Sequence, residues 1–190
     1  MCNTNVKIER SELLNGTDDG EAVQEDLSWH AVYTRMHHER KTADRLTRQD
    51  IQTYMPVQTI MRQWSDRNKT VEVLVIPTLF FMRIPKNKQL HVLRDPSVSR
   101  FLTVSGEKIP AITPGQQMEQ FHFMVGRANS PIKIDPDKLV AGDQVRVMKG
   151  SLKGLEGTFI KQQGRCMLYI QLDQLGNAGI VISASDVEVK

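Results

Sequence analysis

Gly142, Gly150, Gly154 and Gly157, spaced eight, four and three residues apart, constrain this chain more than any other feature. Val145 and Val147 alternate with polar residues between the first two, and Thr158, Phe159 and Ile160 follow the last. Such alternation marks a strand with one buried face, and clustered glycines mark backbone that must turn or be closely approached. The stretch predicts a strand, a loop and a returning strand. In all, β-like runs cover 144–148, 158–161, 167–172, 179–183 and 187–189. Five short strands in about fifty residues predict a small barrel, since closure removes vulnerable sheet edges.

Upstream the pattern is mixed, so the fold class predicted for the whole is α+β. Trp29, Ala31 and Tyr33 alternate with His30 and Val32 in a strand over 28–34. A helix is expected over 37–49, with Met36, Ala43 and Leu46 on its apolar side. A short strand over 51–55 leads to a hairpin of 57–64 with 69–76, turning at Ser65, Asp66, Arg67 and Asn68. Leu79 to Met82 is the most hydrophobic run. Leu79 and Phe81 share one face, Phe80 and Met82 the other. One face can fill a core; the second needs another core or a partner. A short helix over 86–93 and a strand over 98–104 follow. Thr113, Pro114 and Gln116 then open a helix that Gly126 ends. Pro131 and Pro136 interrupt 127–139, which reads as a linker. The expected division is an acidic, disordered tail (1–27), a first domain (28–126), the linker (127–139) and the barrel (140–190).

Charge is unevenly spread. Residues 1–27 carry two bases against seven acids, and 28–126 carry fourteen bases against eight. A basic middle segment suits a polyanionic partner, or is simply a solvated surface. On the predicted helix His37, His38, Lys41, Arg45 and Arg48 lie opposite the apolar side, continuing from Arg35. His37 and His38, adjacent on a helix, point too far apart to share a metal ion without a third ligand. Cys2 and Cys166 have no metal-ligand or redox spacing, which suits a reducing cytoplasm. No apolar run approaches the ~20 residues that span a bilayer, so no membrane partner is expected. No nucleophile–base pairing, phosphate loop or ligand cluster points to an enzyme or a cofactor.

The glycine pattern resembles the KOW motif of NusG-type transcription factors and certain ribosomal proteins. The order of elements over 29–190, the entry Trp29 to Tyr33 and the run Val75 to Phe81 resemble NusG as a whole. That run usually has glycine and an aromatic where this chain has Thr78 and Leu79. The divergence, the acidic tail and the basic helix are similar to the UpxY-like antiterminators of capsular-polysaccharide operons and, more distantly, to RfaH.

The resemblance implies an N-terminal α/β sandwich of the NGN type, with an antiparallel sheet and helices. A linker would join it to a five-stranded SH3-like KOW barrel. It implies a monomeric elongation and antitermination factor that suppresses pausing or premature termination, as on a long polysaccharide-type operon. Tyr33, Leu79 and Phe81 match apolar contacts to the clamp helices of RNA polymerase. Arg35 and Lys41 fall where the RfaH-like group contacts the non-template DNA strand. His37, His38, Arg45 and Arg48 extend that nucleic-acid surface, and nascent RNA is a further candidate ligand. Leu155, with Leu152 nearby, stands where the barrel meets a ribosomal protein or Rho. Glycines throughout 142–179 argue against a helical refolding of the barrel. The competing reading is a KOW-containing ribosome-associated RNA-binding protein using Lys149, Lys153 and Lys161.

Overall fold

The computed structural model describes residues 26–63, 67–104, 107–136, 142–162 and 164–190. The tail expected over 1–27 therefore lies outside the described residues except for Asp26 and Leu27. Strand β1 (Ser28–Thr34) is followed by α1 (Glu39–Thr47), β2 (Gln52–Tyr54), β3 (Val57–Gln63) and β4 (Asn68–Leu74). Then come β5 (Leu79–Ile84), a 3-10 turn, α2 (Gln89–Leu93), β6 (Val98–Phe101) and α3 (Gly115–Arg127). The rest is β7 (Lys133–Asp135), β8 (Asp143–Val147), β9 (Glu156–Gln162), β10 (Arg165–Leu172), β11 (Gly176–Val181) and β12 (Val187–Val189).

The first half builds an antiparallel four-stranded sheet, β2-β5-β1-β6, beside the separate β3–β4 hairpin. Mixed sheet and helix agree with the expected α+β class. The apolar run becomes β5, central in its sheet, with Ala31 opposite Phe81 and Tyr33 opposite Leu79. Its two faces meet two cores. Phe80 and Met82 pack with Val32, with Ala43 and Leu46 of α1 and with Val92 of α2. Leu79 and Phe81 pack with Ala31 and with Met118, Phe121 and Met124 of α3. Each such side chain, fully removed from water, contributes about 1.5–3 kcal/mol.

The second half departs from expectation. Its strands form a six-stranded sheet, β12-β8-β9-β10-β11-β7, rather than a closed five-stranded barrel, and it does not close among the described residues. The physical reason lies in 127–139, which reads in the sequence as a linker with no clear periodicity. Lys133, Ile134 and Asp135 pair with Gly179, Ala178 and Asn177 and so occupy the outer edge of β11. Ile132 beside them is buried in the α3 core. Two opening glycines have separate roles. Gly154 sits at φ +93°, a left-handed turn, whereas a Cβ on Gly157 would stand 2.5 Å from the Tyr169 carbonyl oxygen across β9–β10.

Three local details also differ. Met36 is 67% exposed, not part of the apolar side of α1. His37 adopts φ 63°, a left-handed turn that delays the helix to Glu39, and the buried face is Glu39, Thr42, Ala43 and Leu46. Thr113 does not cap α3; its N–H donates to the Trp29 carbonyl at 2.9 Å, tying the helix entry to β1. Gly126 does not end the helix, which runs on to Arg127 and closes with Ala128 N–H on the Met124 carbonyl.

Thr78 occupies φ 62° just before β5. A β-branched residue there is strained, on the order of 1–3 kcal/mol. It is held through its backbone: its N–H donates to the buried Glu39 Oε1 at 3.1 Å, and its carbonyl accepts from Thr34 N–H at 2.8 Å. Glycine keeps both bonds and relieves the strain, against a loss of about 0.4–1 kcal/mol through the more flexible unfolded chain. Thr78→Gly is expected to raise stability by about 1 kcal/mol in urea unfolding. A lower midpoint would show that the threonine side chain holds the turn.

His30 is fully buried, with Nδ1 2.8 Å from the Ala111 carbonyl and its ring edge-on to Phe101. The carbonyl can only accept, so Nδ1 carries the proton and the unpartnered Nε2 must be neutral. Burial pushes its pKa below the ordinary 6.5, against the opposing pull of the Ala111 bond. Its folded pKa is depressed, so its contribution is intact above 6.5 and lost as pH falls below it. The wild type should therefore lose more stability between about pH 7.5 and about pH 5.5 than His30→Phe does. Equal losses would contradict this.

Candidate functional site

Two faces of the first half carry the residues singled out in the sequence. On one, β1 leaves the sheet through the left-handed turn at His37 into α1. Arg35, His37, His38, Lys41, Arg45 and Arg48 are all exposed along this edge. They are not equivalent. Arg45 forks onto Asp95, with Nε to Oδ2 and Nη2 to Oδ1 both 2.6 Å, and Nη2 also donates to Ser97 Oγ at 3.2 Å. The Asp95 side chain is 8% exposed. Burial pushes its pKa up, but hydrogen bonds from Arg45 and the Ser97 N–H outweigh that and hold it below the usual carboxylate range. The fork ties α1 to the turn before β6, so Arg45 holds the ridge in place rather than extending it.

Ser97 gathers the ridge. Its carbonyl accepts from Arg35 N–H at 3.0 Å, and its hydroxyl lies 3.4 Å from His38 Nδ1. Arg35, Lys41 and Arg48 form no ion pair among the described residues. Those three are the ridge cations available to a polyanion. Arg40 instead pairs with Glu72 of the hairpin. Sequence reasoning missed Asp95 and Ser97 as organisers. Asp95 followed by proline and serine is turn chemistry in which a carboxylate accepts from the N–H two residues on, here at 2.8 Å. It missed Arg100 too, whose guanidinium lies 4.8 Å above the half-buried Tyr33 ring.

On the other face, Leu79 and Phe81 have no exposed surface. The rings of Phe81 and Phe121 meet edge-on at 5.9 Å. Beyond α3 the same core continues without a break into the second sheet, through Val145, Val147, Leu168, Ile170, Leu172 and Ile180. Leu152 and Leu155, expected at a partner surface, are buried in it at 6% and 3% exposure. The Leu155 carbonyl accepts from Val147 N–H at 2.8 Å and the Leu155 N–H donates to the Leu152 carbonyl at 3.0 Å, folding the glycine loop inward. The structure thus brings Leu79, Phe81, Leu152 and Leu155 into one core and leaves Tyr33 at its margin.

Two reciprocal amide clamps join the halves. Gln117 Nε2 donates to Asp173 Oδ1 at 3.0 Å, and Asp173 N–H returns a bond to Gln117 Oε1 at 2.9 Å. Gln58 Nε2 donates to the Ser130 carbonyl at 2.7 Å, and Gln58 Oε1 accepts from Ile132 N–H at 3.0 Å. Among the described residues no histidine, cysteine and carboxylate cluster could hold a metal ion, and no helix is long and apolar enough to cross a membrane.

The family model described as transcription termination factor nusG matches residues 27–122, just over half of the chain. That span contains the ridge, β5 and most of α3. No curated protein matches. One similar solved structure shows the domain interaction in Thermotoga maritima NusG; it is 16% identical, covers 86% of this chain and 97% of its own, with a TM-score of 0.49. Another, the MjSpt4:Spt5 complex in conformation A, is 13% identical, covers 85% and 97%, and has a TM-score of 0.28.

Proposed function

The chain belongs to the NusG family and is a transcription elongation factor of that kind, and on this premise we propose that it binds the clamp helices of RNA polymerase and suppresses pausing or premature termination, acting by binding alone. The observation that carries the reading is that one family-matched span holds both surfaces such a factor needs. The ridge presents Arg35, His37, Lys41 and Arg48 to the non-template DNA strand. The face of Leu79 and Phe81, bordered by Tyr33, supplies the apolar ground for the clamp helices. A polysaccharide-type operon as target, and a KOW role for 140–190 with a ribosomal protein or Rho as partner, belong to the same proposal through the glycine pattern.

The covered face adds a condition. In this arrangement α3 and the second sheet lie over the apolar ground, and Leu152 and Leu155 are spent on the same core. A partner of Leu152 and Leu155 therefore needs the second sheet to separate from α3, and polymerase engages Leu79 and Phe81 only when that separation also frees α3 to leave β5.

The ridge is tested by Lys41→Ala with Arg48→Ala, two exposed side chains that form no ion pair among the described residues. Binding of single-stranded DNA should weaken, and the dependence of log affinity on log salt should become shallower by about 0.7 for each phosphate no longer neutralised. An unchanged slope would remove the DNA role from these residues.

A further inference from the structure

On the side of the four-stranded sheet opposite α1, its end and the outer flank of α3 enclose an open cleft of about 700 Å³. We propose that this cleft is a second nucleic-acid site, taking one or two nucleotides of a single strand. Its walls are rings: Trp29 of β1, Tyr54 of β2, and His122 and Phe123 of α3. Its cations are Arg83 of β5 and Arg127 at the end of α3, opposed by one carboxylate, Glu119. Arg127 is already seated 4.4 Å above the Phe123 ring, and Tyr54 and His122 lie 4.8 Å apart. Flat rings interleaved with guanidiniums are what single-stranded nucleic acid requires: stacking for the base, which tolerates any sequence, and positive charge for the phosphate.

Gly126 is the independent observation. It lies within α3 near its end, lines the cleft, and does not cap the helix. Its φ is not left-handed, and a Cβ placed on it would meet no atom within 4 Å. Neither the helix nor its packing needs a glycine there, and in a helix glycine is less stable than alanine. What it does is leave the backbone bare in the cleft lining, where a ligand can approach it. The ridge lies on α1, across the sheet, so the two surfaces cannot be one continuous site. Stacking rings distinguish this cleft from a site for an acidic peptide, which would need the arginines alone.

The test uses the full chain with Trp64→Phe, so that Trp29 reports from the cleft, and with Arg35→Ala, Lys41→Ala and Arg48→Ala to silence the ridge. Oligo(U) and oligo(dT) are titrated separately. Quenching of Trp29 by either is expected, and the stronger probe identifies RNA or DNA as the source of the strand. Gly126→Leu should weaken binding about ten-fold, the equivalent of one base stack, while leaving the unfolding midpoint unchanged or higher, because the space is empty. Arg83→Ala with Arg127→Ala should weaken it similarly and flatten the salt slope. Absence of quenching by both oligonucleotides, unaltered binding in Gly126→Leu, or equal quenching by oligoglutamate would each overturn the proposal. Because the ridge is disabled throughout, the outcome does not depend on whether the ridge binds DNA.

Discussion

Phe81→Ala is expected to lower the unfolding free energy by about 3–5 kcal/mol, the range for emptying a buried phenylalanine site. The side chain is completely buried and central. Its strand is paired on both sides, with Ala31 and Tyr54 opposite it, and its ring meets Phe121 and Tyr54 at 5.9 and 6.3 Å. Three rings so locked cannot collapse into the space, and the aromatic pairs add about 0.5–1.5 kcal/mol each beyond burial. Urea unfolding measures the destabilisation directly. A change within about 0.5 kcal/mol, typical of surface sites, would show that α3 does not cover Phe81 in solution. The size of the effect limits how this face can be probed. A charge at Leu79 or Phe81 would unfold the first half, so failure of such a variant to bind polymerase would say nothing about contact.

Much of the fold was legible because local chemistry and burial agreed. The β3–β4 hairpin follows from alternation around Ser65 to Asn68, and the two faces of Leu79 to Met82 follow from strand geometry alone. What alternation could not supply was the occupant of the second face. Whether Leu79 and Phe81 meet a partner or a core depends on where α3 and residues 142–190 lie, a long-range fact with no local signal. The same applies to Lys133 to Asp135. Three residues between two prolines carry too short a period to read, and they become a strand only because β11 offers an unpaired edge. For Leu152 and Leu155, a partner contact was expected from the resemblance to the KOW loop, yet the backbone bonds of the loop turn both side chains inward. In the ridge, the cations were legible individually. Their division into the bound Arg45 and the available Arg35, Lys41 and Arg48 was not, because Asp95 lies fifty residues from Arg45 in sequence.

The second large effect concerns the joint between the halves. If polymerase takes only the separated form, apparent affinity is reduced by the fraction that is open, ten-fold for each ~1.4 kcal/mol of closure. The clamp of Gln117 on Asp173 contributes two hydrogen bonds at about 0.5–1.5 kcal/mol each. Gln117→Ala should therefore raise apparent polymerase affinity by about ten-fold, with Phe81, Phe121 and the ridge untouched. The opposite manipulation is more decisive. With Cys2 and Cys166 changed to serine, Gln117→Cys and Asp173→Cys place two thiols at positions whose side chains now touch. Co-purification with RNA polymerase, measured on the oxidised and then the reduced chain, tests the claim that the covered face is the binding face. Closure over that face predicts that the oxidised, mass-verified cross-linked chain fails to bind and that reduction restores binding. Equal retention of polymerase in both states would contradict it, placing the contact on a surface that the second sheet never covers.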